Sequence, residues 1–122
     1  MFGSIDEIIL FLEEYKKVEW QKSKKVKDEN GNEKTIMGYP MYDKRVTDII
    51  KYIKETYNID DKKYIKFVEE KWYDWDIKDL DKDQLVNKVF FIYQSERFCA
   101  GLIGRNIEDG TLLEIFRLLK QK

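Results

Sequence analysis

Histidine is absent from this 122-residue chain, and cysteine and proline occur once each, as Cys99 and Pro40. Without histidine, no Ser-His-Asp or Cys-His device can be assembled. With one thiol besides, zinc sites built of cysteine and histidine are excluded, and no disulfide can close within the chain. Only carboxylate sites for magnesium or calcium stay open; no metal site and no cofactor is expected. A solitary cysteine reads most simply as that of a reducing interior. Long apolar runs are also missing: none approaches the ~20 residues of a membrane span. Glu7, Glu13 and Glu14 interrupt the apolar residues near the start, with no small-residue cleavage site after them. The expectation is a cytoplasmic protein without a membrane partner. Nor is there an excess of one charge: 23 basic residues stand against 24 acidic ones, a net of −1. A dedicated electrostatic nucleic-acid binder normally carries a marked basic excess.

What is present is an apolar fraction of 43% with 15% aromatics, too rich for a disordered chain even with 39% charged residues. One domain spanning residues 1–122 is expected. Ser4-Ile5-Asp6-Glu7 reads as a capping box opening a helix to about Lys17, with Ile5, Ile8, Ile9, Leu12 and Tyr15 at helical spacing. The period then lapses. Asn30-Gly31 signals a turn between Lys24–Val26 and Thr35–Met37, hence a short β-hairpin or arm near residues 20–38. Tyr39-Pro40 is read as reopening a helix whose face is Tyr42, Val46, Ile49, Ile50, Ile53 and Tyr57. Asp60 can cap a third helix to about Trp72. Asp81-Lys82-Asp83-Gln84 can start a buried central one, with a strand at 89–93 as the alternative. Ser95 is read as capping a helix with Phe98, Cys99, Leu102, Ile103 and Ile107 inward, ended by Asp109-Gly110. Thr111 starts the last. The predicted fold is mainly α, a compact bundle of about six helices with one hairpin insertion.

Chemistry concentrates late in the chain. Three of four arginines lie beyond residue 95, with the cysteine and three of six glycines. Arginine is a planar five-donor fork that lysine does not replace. Glu96, Arg97, Arg105 and Asp109 are therefore the candidate pocket, suited to an anionic ligand. The plainer alternative is ion pairing: Arg105 is four residues before Asp109, Arg117 three after Glu114, and Arg97 is within reach of Asp74 or Asp76 if the acidic connection folds over it. Gly101 and Gly104 each cost about 1 kcal/mol inside a helix, so close helix-helix approach is expected. Cys99 on an inward face is a small hydrophobe. Asp79, Asp81 and Asp83 fall at the first positions of a calcium loop, but Gln84 and Phe90 occupy the glycine and glutamate positions, which rejects that motif. Trp72 and Trp75 form a candidate partner surface, one of them core and the other an anchor; the plainer alternative is that both pack in the core. Lys24 and Lys25, in a run from Lys16 to Lys27 that includes Trp20, offer a basic arm that is either solvated or touches nucleic acid.

Two segments, Glu96-Arg97-Phe98-Cys99-Ala100-Gly101 and Ile107-Glu108-Asp109-Gly110-Thr111-Leu112-Leu113, resemble a family of small bacterial domains of unknown function. Its C-terminal signature reads roughly Glu-Arg-Phe-Cys-acidic-Gly, a helix, then an acidic-Gly turn into a leucine-rich helix. An upstream Tyr-Pro-x-Tyr element is matched by Tyr39-Pro40-Met41-Tyr42. The likeness covers mainly residues 39–50 and 85–119, and Ala100 stands where an acidic residue is expected. It implies a bacterial or phage origin and a mostly helical fold, and no activity. The residues favour a non-catalytic domain that binds another protein or dimerises. The alternatives are a nucleic-acid-associated or phage-host conflict protein using the lysine arm, and an enzyme acting on an anionic substrate through carboxylates and arginine.

Overall fold

Six helices and two short antiparallel strand pairs make up the computed structural model, which describes residues 2–21, 24–36 and 39–122. Helix α1 (Ile5–Glu14) starts where Ser4 accepts a hydrogen bond from the Glu7 amide, and buries Ile8, Phe11 and Leu12 at helical spacing. It stops three residues short of the predicted Lys17. The Tyr15 ring stacks on Phe11 with centroids 5.0 Å apart, and its hydroxyl accepts from the Asp43 amide at 3.2 Å. Those contacts turn the chain into an extended run through buried Val18.

Strand β1 (Glu19–Gln21) pairs with β4 (Tyr39–Met41), and β2 (Lys24–Lys27) with β3 (Glu33–Ile36). The Asn30-Gly31 signal is realised between β2 and β3. The Asp28 carboxylate accepts from the amides of Asn30 and Asn32, and Gly31 takes a φ of +80°. Met37, expected in the returning strand, and Lys22 of the lysine run lie outside the described residues.

Tyr39-Pro40 is a correction. Proline opens no helix here; it sits in β4, opposite Trp20. A residue before proline is driven to extended backbone, and a short edge strand tolerates the missing amide. The helix cap falls instead to Asp43, whose side chain accepts from the Arg45 amide at 2.9 Å.

Helix α2 (Lys44–Thr56) then buries Val46, Ile49 and Ile53. Asp60 caps α3 (Asp61–Glu69), which ends before Trp72 because Lys71 turns left-handed at φ +56°. Two 3-10 turns, Trp72–Asp74 and Ile77–Asp79, lead to α4 (Lys82–Ser95). Its start is a complete capping box: Asp81 and Gln84 each accept the other's amide at 2.8 Å. Residues 89–93 are helical, so the strand alternative falls. Helix α4 is the hub, packing on α2, α3, α5 and α6. Helix α5 (Leu102–Glu108) and α6 (Thr111–Gln121) complete the chain, and α6 lies along α1. Arg117 does not pair with Glu114 on its own helix; it reaches Glu13 of α1 at 3.4 Å.

The main core collects Ile8, Leu12, Val46, Ile49, Ile53, Leu85, Val89, Leu112, Ile115 and Phe116. A second, aromatic cluster surrounds fully buried Phe67, with Tyr64, Trp72, Tyr73 and Phe91 within 6.5 Å between centroids. No helix among the described residues is long and apolar enough to cross a membrane.

Candidate binding site

The segment from Ser95 to Gly101 was expected to begin a helix, and it does not. The Ser95 carbonyl accepts from both the Phe98 and Cys99 amides at 3.0 Å, closing a tight turn, and α5 begins only at Leu102. Gly101 takes a φ of +91°, a left-handed conformation that glycine adopts without steric cost.

The side chain of Glu96 explains the turn. It folds back over its own loop and accepts from the Gly101 amide at 2.6 Å and the Ile103 amide at 2.9 Å. The Tyr42 hydroxyl donates to it at 2.7 Å and in turn accepts from the Gly104 amide at 3.0 Å. One carboxylate thus satisfies the first free amides of α5, which a helix start must place somewhere, and ties α5 to the end of β4. Burial, together with the bond to Glu96, pushes the Tyr42 phenol well above its ordinary value of 10.0.

Both glycines are close-approach points, as expected, but against a strand and its flanks rather than another helix. A Cβ on Gly104 would lie 3.2 Å from Tyr42 and from Val18. One on Gly101 would lie 2.5 Å from the Trp20 ring.

Because the turn bulges outward, Arg97, Phe98, Cys99 and Ala100 are all exposed, Phe98 to 91% of its surface. This corrects the inward placement of Phe98 and Cys99: the helical period carried across Gly101, and the helix itself does not. Beside the turn lies an open depression of about 400 Å³, lined by Trp20, Ala100, Gly101, Arg105, Glu108 and Asp109. Trp20 keeps 49% of its surface exposed. Asp109 accepts from the Thr111 amide at 2.9 Å and so also starts α6.

The candidate pocket therefore divides. Arg105 and Asp109 share the depression. Glu96 is committed to Tyr42 and the α5 amides, and Arg97 stands on the turn with no ion pair among the described residues. Trp72 and Trp75 lie elsewhere, on the aromatic cluster, edge to face at 6.2 Å. Trp72 is partly buried and Trp75 is 50% exposed. Lys25 is exposed on β2, opposite Thr35, and Lys24 stands opposite Ile36. Among the described residues, no group of three or more acidic or cysteine side chains is placed to hold a metal ion.

Sequence reasoning missed Tyr42 as the partner of Glu96 and Trp20 as the wall of the depression. A signal was available. The Tyr-Pro-x-Tyr element and the Glu-Arg-Phe-Cys-x-Gly element both stand out in the sequence, and they meet in this hydrogen bond.

No curated protein and no solved structure matches the chain. A family model does match, over residues 2–122. The chain thus belongs, over all but its first residue, to a family of unknown function, DUF6508.

Proposed function

We propose that this protein is a non-catalytic binding module that meets another protein at the corner formed by the 96–101 turn and Trp20. The observation that carries this reading is Phe98, 91% exposed at the crest of a turn held by Glu96 and Tyr42. A lone exposed apolar side chain is ordinary. A large aromatic on a turn already ordered by hydrogen bonds is different, because little conformational freedom is left to lose when a partner covers it. Aromatic anchors of this kind dominate the energetics of protein interfaces.

The enzyme alternative needs Glu96 as a free acid or base, and both of its oxygens are engaged. The nucleic-acid alternative needs a basic arm. Folding sets Glu33 opposite Lys27 and places Asp28 and Glu29 at the tip, so the carboxylates gather at the turn end of the hairpin and offset part of its lysine charge there.

A photo-crosslinking phenylalanine analogue at position 98, compared with one at exposed Ile65, tests the proposal in extract of the source cell. Discrete adducts from position 98 alone, competed by excess unlabelled protein, are expected. An adduct of twice the chain's mass would identify the partner as a second copy. Adducts absent at 98, or identical to those from position 65, overturn the reading.

A further inference from the structure

The depression beside the turn has a chemistry of its own. Its described lining carries one guanidinium, Arg105, two carboxylates, Glu108 and Asp109, and one indole, Trp20. The formal sum is −1, which argues against the anion first suggested by the arginines: any anion at Arg105 would also face both carboxylates. The reverse choice suits three of these four groups, with Arg105 left to pair elsewhere. The exposed part of Trp20 attracts a cation over its ring. Glu108 accepts no hydrogen bond among the described residues and can take a charge-assisted one. Asp109 keeps an oxygen beyond the one that holds the Thr111 amide. Arg105, a donor only, then faces a carbonyl of the backbone that presents the cation.

Building on the binding-module reading, we propose that this depression receives a basic side chain of the partner protein, arginine in preference to lysine. A guanidinium is planar enough to lie on the indole and forked enough to engage Glu108 with two hydrogen bonds, neither of which an ammonium does. The position of the depression fits this role. Gly101 is both the floor beneath Trp20 and a ligand of Glu96, so the ring rests on the same turn that raises Phe98. A partner covering Phe98 would bring its neighbouring side chains over Trp20. The apolar contact would supply affinity, and the basic contact selectivity.

The test uses two capped tripeptides, Gly-Arg-Gly and Gly-Glu-Gly, titrated into the isotope-labelled full chain and followed by amide and indole NMR. The arginine peptide should move the Trp20 indole and the amides of Gly101, Arg105 and Glu108 saturably, with millimolar affinity that weakens as salt is added. Glu108→Gln, an exposed change that leaves the fold in place, should weaken binding roughly fivefold. Trp20→Phe, which keeps a smaller aromatic ring on β1, should weaken it by a similar factor. No response at Trp20 to the arginine peptide, or an equal response to the glutamate peptide, overturns the assignment. That failure alongside specific crosslinks from position 98 removes only the basic-side-chain assignment. Failure of both experiments removes the binding-module reading as well.

Discussion

Glu96 shows how one residue can be misjudged from its charge. Next to arginine and cysteine it invites a catalytic role, but its two oxygens take three donors: the Tyr42 hydroxyl and the amides of Gly101 and Ile103. Removing a charged acceptor leaves its donors to find water in a partly buried place, which costs more than the bond itself contributes. Glu96→Ala should therefore destabilise the protein by about 2–3 kcal/mol. Arg97→Ala, one residue along and exposed, should change stability by less than about 0.5 kcal/mol. Urea denaturation of the two variants decides it; equal effects would mean the turn is not held by this carboxylate. Propensity and spacing around residue 96 do not reveal the trans-chain bond, because nothing local to it refers to residue 42; only the joint presence of the two motif elements points to it.

At the scale of elements, what could be read depended on whether the cause was local. The Asp81/Gln84 box, the Asp60 cap and the Asn30-Gly31 turn each act within four residues, and all three appear where expected. Tyr39-Pro40 could not be assigned locally, since proline suits both a first helical turn and an edge strand; pairing with β1 decides it. The apolar period through Phe98 and Cys99 misled because it continues across a glycine that breaks the backbone. Helix α6 separates burial from charge in the same way. Phe116 is fully buried, whereas the Arg117–Glu13 and Lys120–Asp6 pairs to α1 are roughly half exposed. Phe116→Ala should cost about 3–5 kcal/mol, and Glu13→Gln no more than about 0.5 kcal/mol. Thermal unfolding of both variants gives the comparison; a large loss with Glu13→Gln would show that the α1–α6 seam depends on charge.

At the scale of the whole molecule, buried phenols set the alkaline limit. The Tyr93 hydroxyl donates to the Val46 carbonyl at 2.6 Å, joining α4 to α2. Burial pushes its pKa well above the ordinary 10.0, as it does for Tyr42. Tyr57 and Tyr64 are raised in the same direction. Above pH 10.0 the unfolded chain loses protons that the folded one retains. Stability is therefore fully present below that pH and declines as pH rises, by up to about 1.4 kcal/mol per pH unit for deeply buried Tyr93 and by less for the more exposed tyrosines. Denaturation across this range should show the decline, and Tyr93→Phe should make it shallower by one tyrosine's share. Phenolate absorbance growing in at the ordinary value while the chain stays folded would contradict it.

The bond between Tyr42 and Glu96 spans 54 residues of sequence, and the one from Gly104 to Tyr42 spans 62. The turn that lifts Phe98 closes on its own local bonds, but its attachment to the rest of the fold depends on these two distant ones. Its full set of bonds exists only where Tyr42, at the end of β4, lies beside the start of α5. A partner that grips Phe98 would discriminate folded molecules from unfolded or damaged ones, so the contact surface would double as a certificate of folding.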